Sequence, residues 1–208
     1  ILQKHVALYQ RYLPIKARVL GLDQLANYDL VAPLPVQRQQ VYTWKEAQQL
    51  IAEVYHEFDP TIGEWVEEMF TAQRIDSLVR KGKESGAFCE SWLLGKTAFI
   101  LQSFHGTLSD VYTLAHELGH AIHTYLYSRA QTPSNCEPGS CLAEIGSIFS
   151  ELLLTEKLLS TAETPEEKQT ILTTILDEFG MAAFQVSARV FFEQALYDVI
   201  QGCSVLNG

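Results

Sequence analysis

Apolar residues recur with a helical period through most of the chain. Between positions 4 and 21 they fall at Val6, Leu8, Tyr9, Leu13, Ile15, Val19 and Leu20, which predicts a helix stopped by Gly21. Pro14 predicts a bend or break inside it, because proline removes a backbone donor and crowds the preceding turn. Tyr28 to Val36, with Asn27, Pro33 and Pro35 as turn signals, reads as loop. Thr43 and Glu46 form a capping box that opens a helix to about Phe58, and Thr61 to about Arg74 forms the next. The polar segment Lys81-Gly82-Lys83-Glu84-Ser85-Gly86 then breaks the pattern. Ala87 to Leu93 and Thr97 to Phe104, joined by Leu94-Gly95-Lys96, predict a β-hairpin, the only strands the pattern supports. From Thr107 onward the period is helical again, over 108–129, 141–160, 165–178 and 180–202, with breaks at Pro133, Pro138-Gly139 and Pro165. The expected fold is mainly α, with a small antiparallel hairpin. Residues 1–80 form a helical lead-in, and 81–208 carry the hairpin and the later helices.

Composition acts mostly by exclusion. Of 208 residues 47% are apolar, enough to bury a core. Fifteen basic side chains against 25 acidic ones leave a net charge of −10, which argues against nucleic acid as a partner. Apolar runs such as Ala98 to Leu101 are too short to span a bilayer, so no membrane partner is expected. Ile1-Leu2-Gln3-Lys4-His5 does not read as a secretory signal, which points to a cytoplasmic setting with reduced thiols. That expectation covers Cys89, Cys203 and the closely spaced Cys136 and Cys141. A cysteine zinc site would need a second close pair. No methionine opens the sequence, so residues 1–208 are expected to come from a longer chain.

The chemistry concentrates in His116-Glu117-Leu118-Gly119-His120. Histidines four apart on a helix project from one face, about 40° apart around the axis, and both imidazoles can reach one Zn2+. Glu117 projects to the side, where it can accept a proton from a water on the metal. The surroundings support this reading. Thr107 and Asp110 form a capping box that starts the helix, and Glu117 is the only carboxylate between Val111 and Ser128. A lone carboxylate on a buried helix is costly unless something compensates it.

A catalytic zinc needs a third protein ligand and an open position. Downstream stand Glu137, Glu144, Glu151 and Glu156. Glu137 lies in the Pro/Gly loop, and Glu156 beside Lys157 reads as a solvated surface residue. Glu144 and Glu151 are the only charged residues from Pro138 to Thr155 and, seven apart, share one helical face. Glu144 is assigned as third ligand. Glu151 suits orienting a ligand histidine through its other ring N–H, the alternative being a salt bridge elsewhere. Spacing excludes two other zinc-peptidase patterns. A metzincin would have Gly at position 123 and His at 126, where His123 and Leu126 stand. A thermolysin-like site would place Ser-Asp three and four residues after Glu144, where Ser147 and Ile148 stand.

The chain resembles the oligoendopeptidase F branch of the thimet-oligopeptidase-like zinc metallopeptidases. The likeness runs through Leu20-Gly21-Leu22, Tyr28-Asp29-Leu30, Lys81 to Phe88, Gly106 to Val111, His116 to His120 and Ala143-Glu144-Ile145-Gly146-Ser147. It implies a zincin-like helical core with a small sheet beside one zinc ion. It also implies His116, His120 and Glu144 as ligands, Glu117 as general base, and short peptides as substrates in a deep channel. The family takes its oxyanion donors from Tyr and His residues beyond the zinc helices. Here no His follows His123, and the only Tyr after Tyr127 is Tyr197, so this chain alone is expected to bind zinc but cleave peptides poorly.

Other positions carry weaker expectations. His123 shares the face of the histidine pair and reads as a polar neighbour of the site or as an ordinary core histidine. Gly119 and Gly146 each cost their helix about 1 kcal/mol relative to Ala, which suggests that the two ligand-bearing helices approach closely there. The strand Ala98–Phe104 could pair with an extended substrate backbone or be plainly structural. His105, Arg189 and Tyr197 have no strong functional claim. A competing reading is a non-catalytic, peptide-binding helical module that keeps zinc as a structural staple. Such a site would be closed by four protein ligands, His123 among them.

Overall fold

A computed structural model describes residues 2–30, 32, 41–136 and 138–202. The chain divides into two compact units, one formed by residues 1–37 with 163–208 and the other by 38–162.

The first unit holds α1 (Leu2–Leu20), a short 3₁₀ turn at Asn27–Asp29, α6 (Pro165–Phe179) and α7 (Val186–Gln201). Gly21 ends α1 at φ 71°, in the left-handed region that favours glycine. Pro14 does not end it. The helix is pinned on both sides of the proline: Tyr12 Oη donates to Asp177 Oδ1 at 2.7 Å, and the buried Lys16 Nζ donates to Asp177 Oδ2 at 2.6 Å. The break expected between 178 and 180 is also missing. Gly180 keeps right-handed helical angles, and Gly180–Gln185 forms a π-helical turn that joins α6 to α7. A Cβ on Gly180 would lie 2.4 Å from the Tyr9 ring, so contact with α1 selects glycine here.

The second unit is built from α2 (Trp44–Phe58), α3 (Pro60–Thr71), β1 (Ile75–Asp76), β2 (Ala87–Trp92), β3 (Thr97–Gln102), α4 (Leu108–Ala130) and α5 (Ser140–Thr161). Thr43 and Glu46 cap α2 reciprocally, and Thr107 and Asp110 do the same for α4, as their spacing predicts. Helix α3 stops three residues short of Arg74, and Gln73 follows it at φ 53°. Ile51, Tyr55, Val66, Met69, Ile100, Leu114, Leu118 and Leu154 form the buried interior.

The hairpin is present and is part of a three-stranded sheet in the order β1-β3-β2. β1 pairs with β3 in parallel, and β2 pairs with β3 antiparallel from Ala87↔Gln102 to Trp92↔Thr97. The sequence reading missed β1, which is two residues long and too short to show a period. Lys83 holds this corner together. Its buried Nζ donates to Asp76 O at 2.8 Å, Asp76 Oδ1 at 3.2 Å, Leu78 O at 3.0 Å and Gln102 O at 2.6 Å. Among the described residues, no helix is long and apolar enough to cross a membrane.

Candidate metal centre

Helices α4 and α5 cross where neither has a side chain. A Cβ on Gly119 would lie 2.4 Å from the Gly146 carbonyl oxygen, and a Cβ on Gly146 would lie 2.8 Å from that of Gly119. The close approach read from these two mid-helix glycines is therefore present. The crossing brings His116 and His120 of α4 against Glu144 of α5. Among the described residues, these three form the one group of donor atoms able to share a metal ion.

The distances test that possibility. His116 Nε2 lies 3.2 Å from His120 Nε2 and 3.4 Å from Glu144 Oε2, and His120 Nε2 lies 3.5 Å from the same oxygen. Charge-assisted N–H···O bonds run at about 2.7–2.9 Å, so these are poor ion pairs. Tetrahedral donors at about 2.0–2.1 Å from zinc stand about 3.3–3.4 Å apart. The observed triangle has that size, and two imidazoles with a carboxylate are a usual zinc donor set. The residues present fit the ion.

Neighbours orient each donor. Glu151 Oε1 lies 2.6 Å from His116 Nδ1, which as donor leaves the His116 Nε2 lone pair free. This bond is the main reason the His116 pKa is raised. His120 is bonded to the Ala143 backbone, yet burial pushes its pKa down, toward the neutral ring a metal requires. Ser147 Oγ donates to Glu144 Oε2 at 2.7 Å. The sequence reading did not single out Ser147, although a hydroxyl three residues after the carboxylate on one helix was a readable signal.

Glu117 is buried at 7% exposure, and that burial raises its carboxyl pKa. It lines a cavity of about 660 Å3, together with the metal group, β2, and Thr124 and Tyr127 of α4. His123 also faces this cavity and packs edge-on against Tyr127, with ring centres 5.4 Å apart, but it is not one of the three grouped donors. Cys89 sits on the wall with its thiol pushed up to about 12 by burial and by the Glu117 charge, which makes it a poor nucleophile. Cys136 is a buried free thiol. Glu137, Cys203 and the side chain of Cys141 lie outside the described residues.

Glu156 is exposed, as expected. His105 is exposed, and it is not among the residues that line the cavity. Arg189 and Tyr197 are exposed on α7. Of the two readings of Ala98–Phe104, the sheet favours the plainly structural one. β3 is the central strand of the sheet, so its backbone groups are already used by β1 and β2. The open edge is β2. Ile100 donates its N–H to Arg74 O on the β1 side, so Phe99 and Leu101 face β2 and pair with Glu90 and Phe88. By the alternation of an antiparallel ladder, Cys89 and Ser91 direct their backbone N–H and C=O groups away from β3.

A helix-borne histidine pair completed by a carboxylate from a crossing helix defines a candidate metal centre. The profile described as peptidase family M3 matches residues 1–203, and the chain belongs to that family. Its relatives include group B oligopeptidase PepB of Streptococcus agalactiae, 35% identical over 98% of this chain and 33% of that protein. Oligopeptidase PepF of Bacillus subtilis is 30% identical over 96% of this chain and 30% of its own length. A crystal structure from Chlamydophila abortus, described as a peptidase, superposes with a TM-score of 0.82 at 30% identity, covering 97% of this chain and 33% of that one. The likeness to oligoendopeptidase F read from the sequence is thus borne out. The chain spans about a third of the length of the curated relatives it matches.

Proposed function

We propose that this chain carries the metal centre of a zinc-dependent endopeptidase that hydrolyses short peptides. The observation that carries the reading is the 3.2–3.5 Å triangle of His116 Nε2, His120 Nε2 and Glu144 Oε2, set in a cavity that also holds the buried Glu117. When bound, zinc supplies Lewis acidity toward the peptide carbonyl and its attacking water. His116, His120 and Glu144 hold the ion. Glu151 keeps His116 in the tautomer that presents Nε2, and Ser147 steadies the Glu144 carboxylate. Glu117 takes a proton from the attacking water and returns it to the leaving amine. It lines the same cavity as the three donors, as a group that passes a proton there must. The open edge of β2 offers the backbone groups of Cys89 and Ser91 to an extended peptide.

The competing reading, a structural zinc staple, needs a fourth protein ligand. Among the described residues the grouped donors number three, without His123, and this favours the enzyme. The names of the relatives, oligopeptidase and oligoendopeptidase F, point the same way.

The test pairs metal analysis with hydrolysis of quenched fluorescent peptides. One zinc per chain is expected in both the parent protein and Glu117→Gln. Peptide turnover should fall by about 10²–10⁴-fold in the variant. Hydrolysis that survives Glu117→Gln, or a zinc-loaded form as long as the relatives that is inert on every short peptide, would overturn the proposal.

A further inference from the structure

One turn beyond the metal-facing histidines, α4 and β2 meet through three hydroxyls. Ser91 Oγ lies 2.8 Å from Thr124 Oγ1 and 3.0 Å from Tyr127 Oη, and Thr124 Oγ1 lies 3.1 Å from Tyr127 Oη. Thr124 also donates to the His120 carbonyl at 3.1 Å. All three residues line the cavity that holds the metal group.

The protons do not suffice for these contacts. Three hydroxyls carry three protons, and four contacts each call for one. Thr124 uses its proton on the His120 carbonyl, the usual habit of a mid-helix threonine. Two protons then remain for three oxygen–oxygen contacts, so at least one pair of oxygens meets with no hydrogen between them. What the cluster has to spare is lone pairs. A ligand that donates several hydrogens would satisfy it. A carboxylate would demand protons that are already in use. The charges on the cavity wall agree, because among the described residues its carboxylates are Glu90, Glu117 and Glu144 and no Lys or Arg lines it.

We infer that Ser91, Thr124 and Tyr127 form a substrate subsite that takes a cationic donor group, an ammonium or guanidinium, from the bound peptide. The inference rests on the reading of the cavity as a peptide site. The geometry also sets the register. Thr124 and Tyr127 lie four and seven residues past His120, about 6 and 10 Å along the helix. An extended peptide advances about 3.3 Å per residue. The cationic group therefore belongs two or three residues from the scissile bond, on one side of it only. A basic side chain and a free N-terminus could both supply it.

The test measures binding, not turnover. Short peptides with a ketomethylene group in place of the central amide are titrated into the zinc-supplemented protein and followed by fluorescence anisotropy. In one series, N-acetylated and C-amidated, Lys replaces norleucine two or three residues to either side of the centre. In a second series norleucine is kept throughout and the N-terminus is left free at the same distances. Hydrogen bonds to a charged donor should tighten binding about tenfold or more in one register. Gain in the first series assigns the subsite to a basic side chain, and gain only in the second assigns it to the peptide N-terminus. Tyr127→Phe and the milder, surface Ser91→Ala should each remove most of the difference between the Lys or free-amine peptide and its norleucine counterpart.

Equal gain in all registers would mean general attraction to an acidic protein and would overturn the subsite. Binding without any preference would overturn it and leave the peptide-site reading intact. Failure of every peptide to bind would overturn both.

Discussion

The Glu151–His116 contact costs little structure and decides much of the chemistry. A carboxylate on Nδ1 fixes which ring nitrogen carries hydrogen and raises the basicity of the other. Glu151→Gln keeps the shape and removes the charge, so zinc affinity should drop about 10–100-fold. Competition against a chromophoric chelator reads that directly. The glycines are equally specific. Alanine at Gly119 would gain about 1 kcal/mol of helix propensity, but its Cβ would sit 2.4 Å from a backbone oxygen that cannot rotate away. The expected net result of Gly119→Ala is a loss of about 1–3 kcal/mol, seen as a lowered urea midpoint, with weaker zinc binding alongside it.

At the scale of elements, the sheet corner depends on a buried ammonium. Lys83 replaces its water shell with three carbonyls and the Asp76 carboxylate. Arg80 completes the arrangement, with two bonds to Asp76 at 2.8 and 2.6 Å. Together Arg80 and Lys83 hold the Asp76 carboxyl well below the usual carboxylate range. A carboxyl with a depressed folded pKa contributes stability above its unfolded value, about 3.9, and loses it as pH falls toward the folded one. Urea unfolding of the parent should therefore weaken below about pH 4 more steeply than that of Asp76→Asn. Lys83→Met would leave the part-buried carbonyl oxygens of Asp76 and Gln102 without their donor and should cost about 1–3 kcal/mol.

Much of this level was legible beforehand. The capping boxes at Thr43 and Thr107, the hairpin and the His116–His120 face all follow from short-range spacing. What escaped needed the third dimension. Pro14 reads as a bend or break, and 165–178 and 180–202 as separate helices, because the contacts that hold them, Asp177 to α1 and Tyr9 to Gly180, are distant in sequence. The choice for Ala98–Phe104 between substrate pairing and a plain structural role stays open in the sequence because β1, which pairs with it, leaves no pattern. The hydroxyl cluster joins Ser91 to residues more than thirty positions away.

At the scale of the molecule, α5 presents two kinds of surface. One carries Glu144 and Glu151. The other exposes Leu142, Ile145, Phe149 and Leu152 at 55, 59, 43 and 52%. That spacing forms a stripe, and α7 exposes Val190, Phe191, Phe192 and Ile200 as well. Apolar surface on this scale seldom stays bare on a soluble protein. The 208-residue chain is expected to bind a hydrophobic dye and to associate as its concentration rises, which sedimentation velocity would detect. A monodisperse monomer that leaves the dye dark would contradict this.

The glycine crossing also acts as a gauge. Where two helices touch backbone to backbone, no side chain can repack to widen or narrow the gap. The spacing of the three donors is thus tied to peptide geometry rather than to adjustable packing. Ions that prefer bonds of about 2.3–2.6 Å, as calcium does, gather six to eight oxygen donors, which two imidazoles and one carboxylate do not supply. Gly119 and Gly146, which are not among the grouped donors, thus set how closely the helices that carry those donors approach.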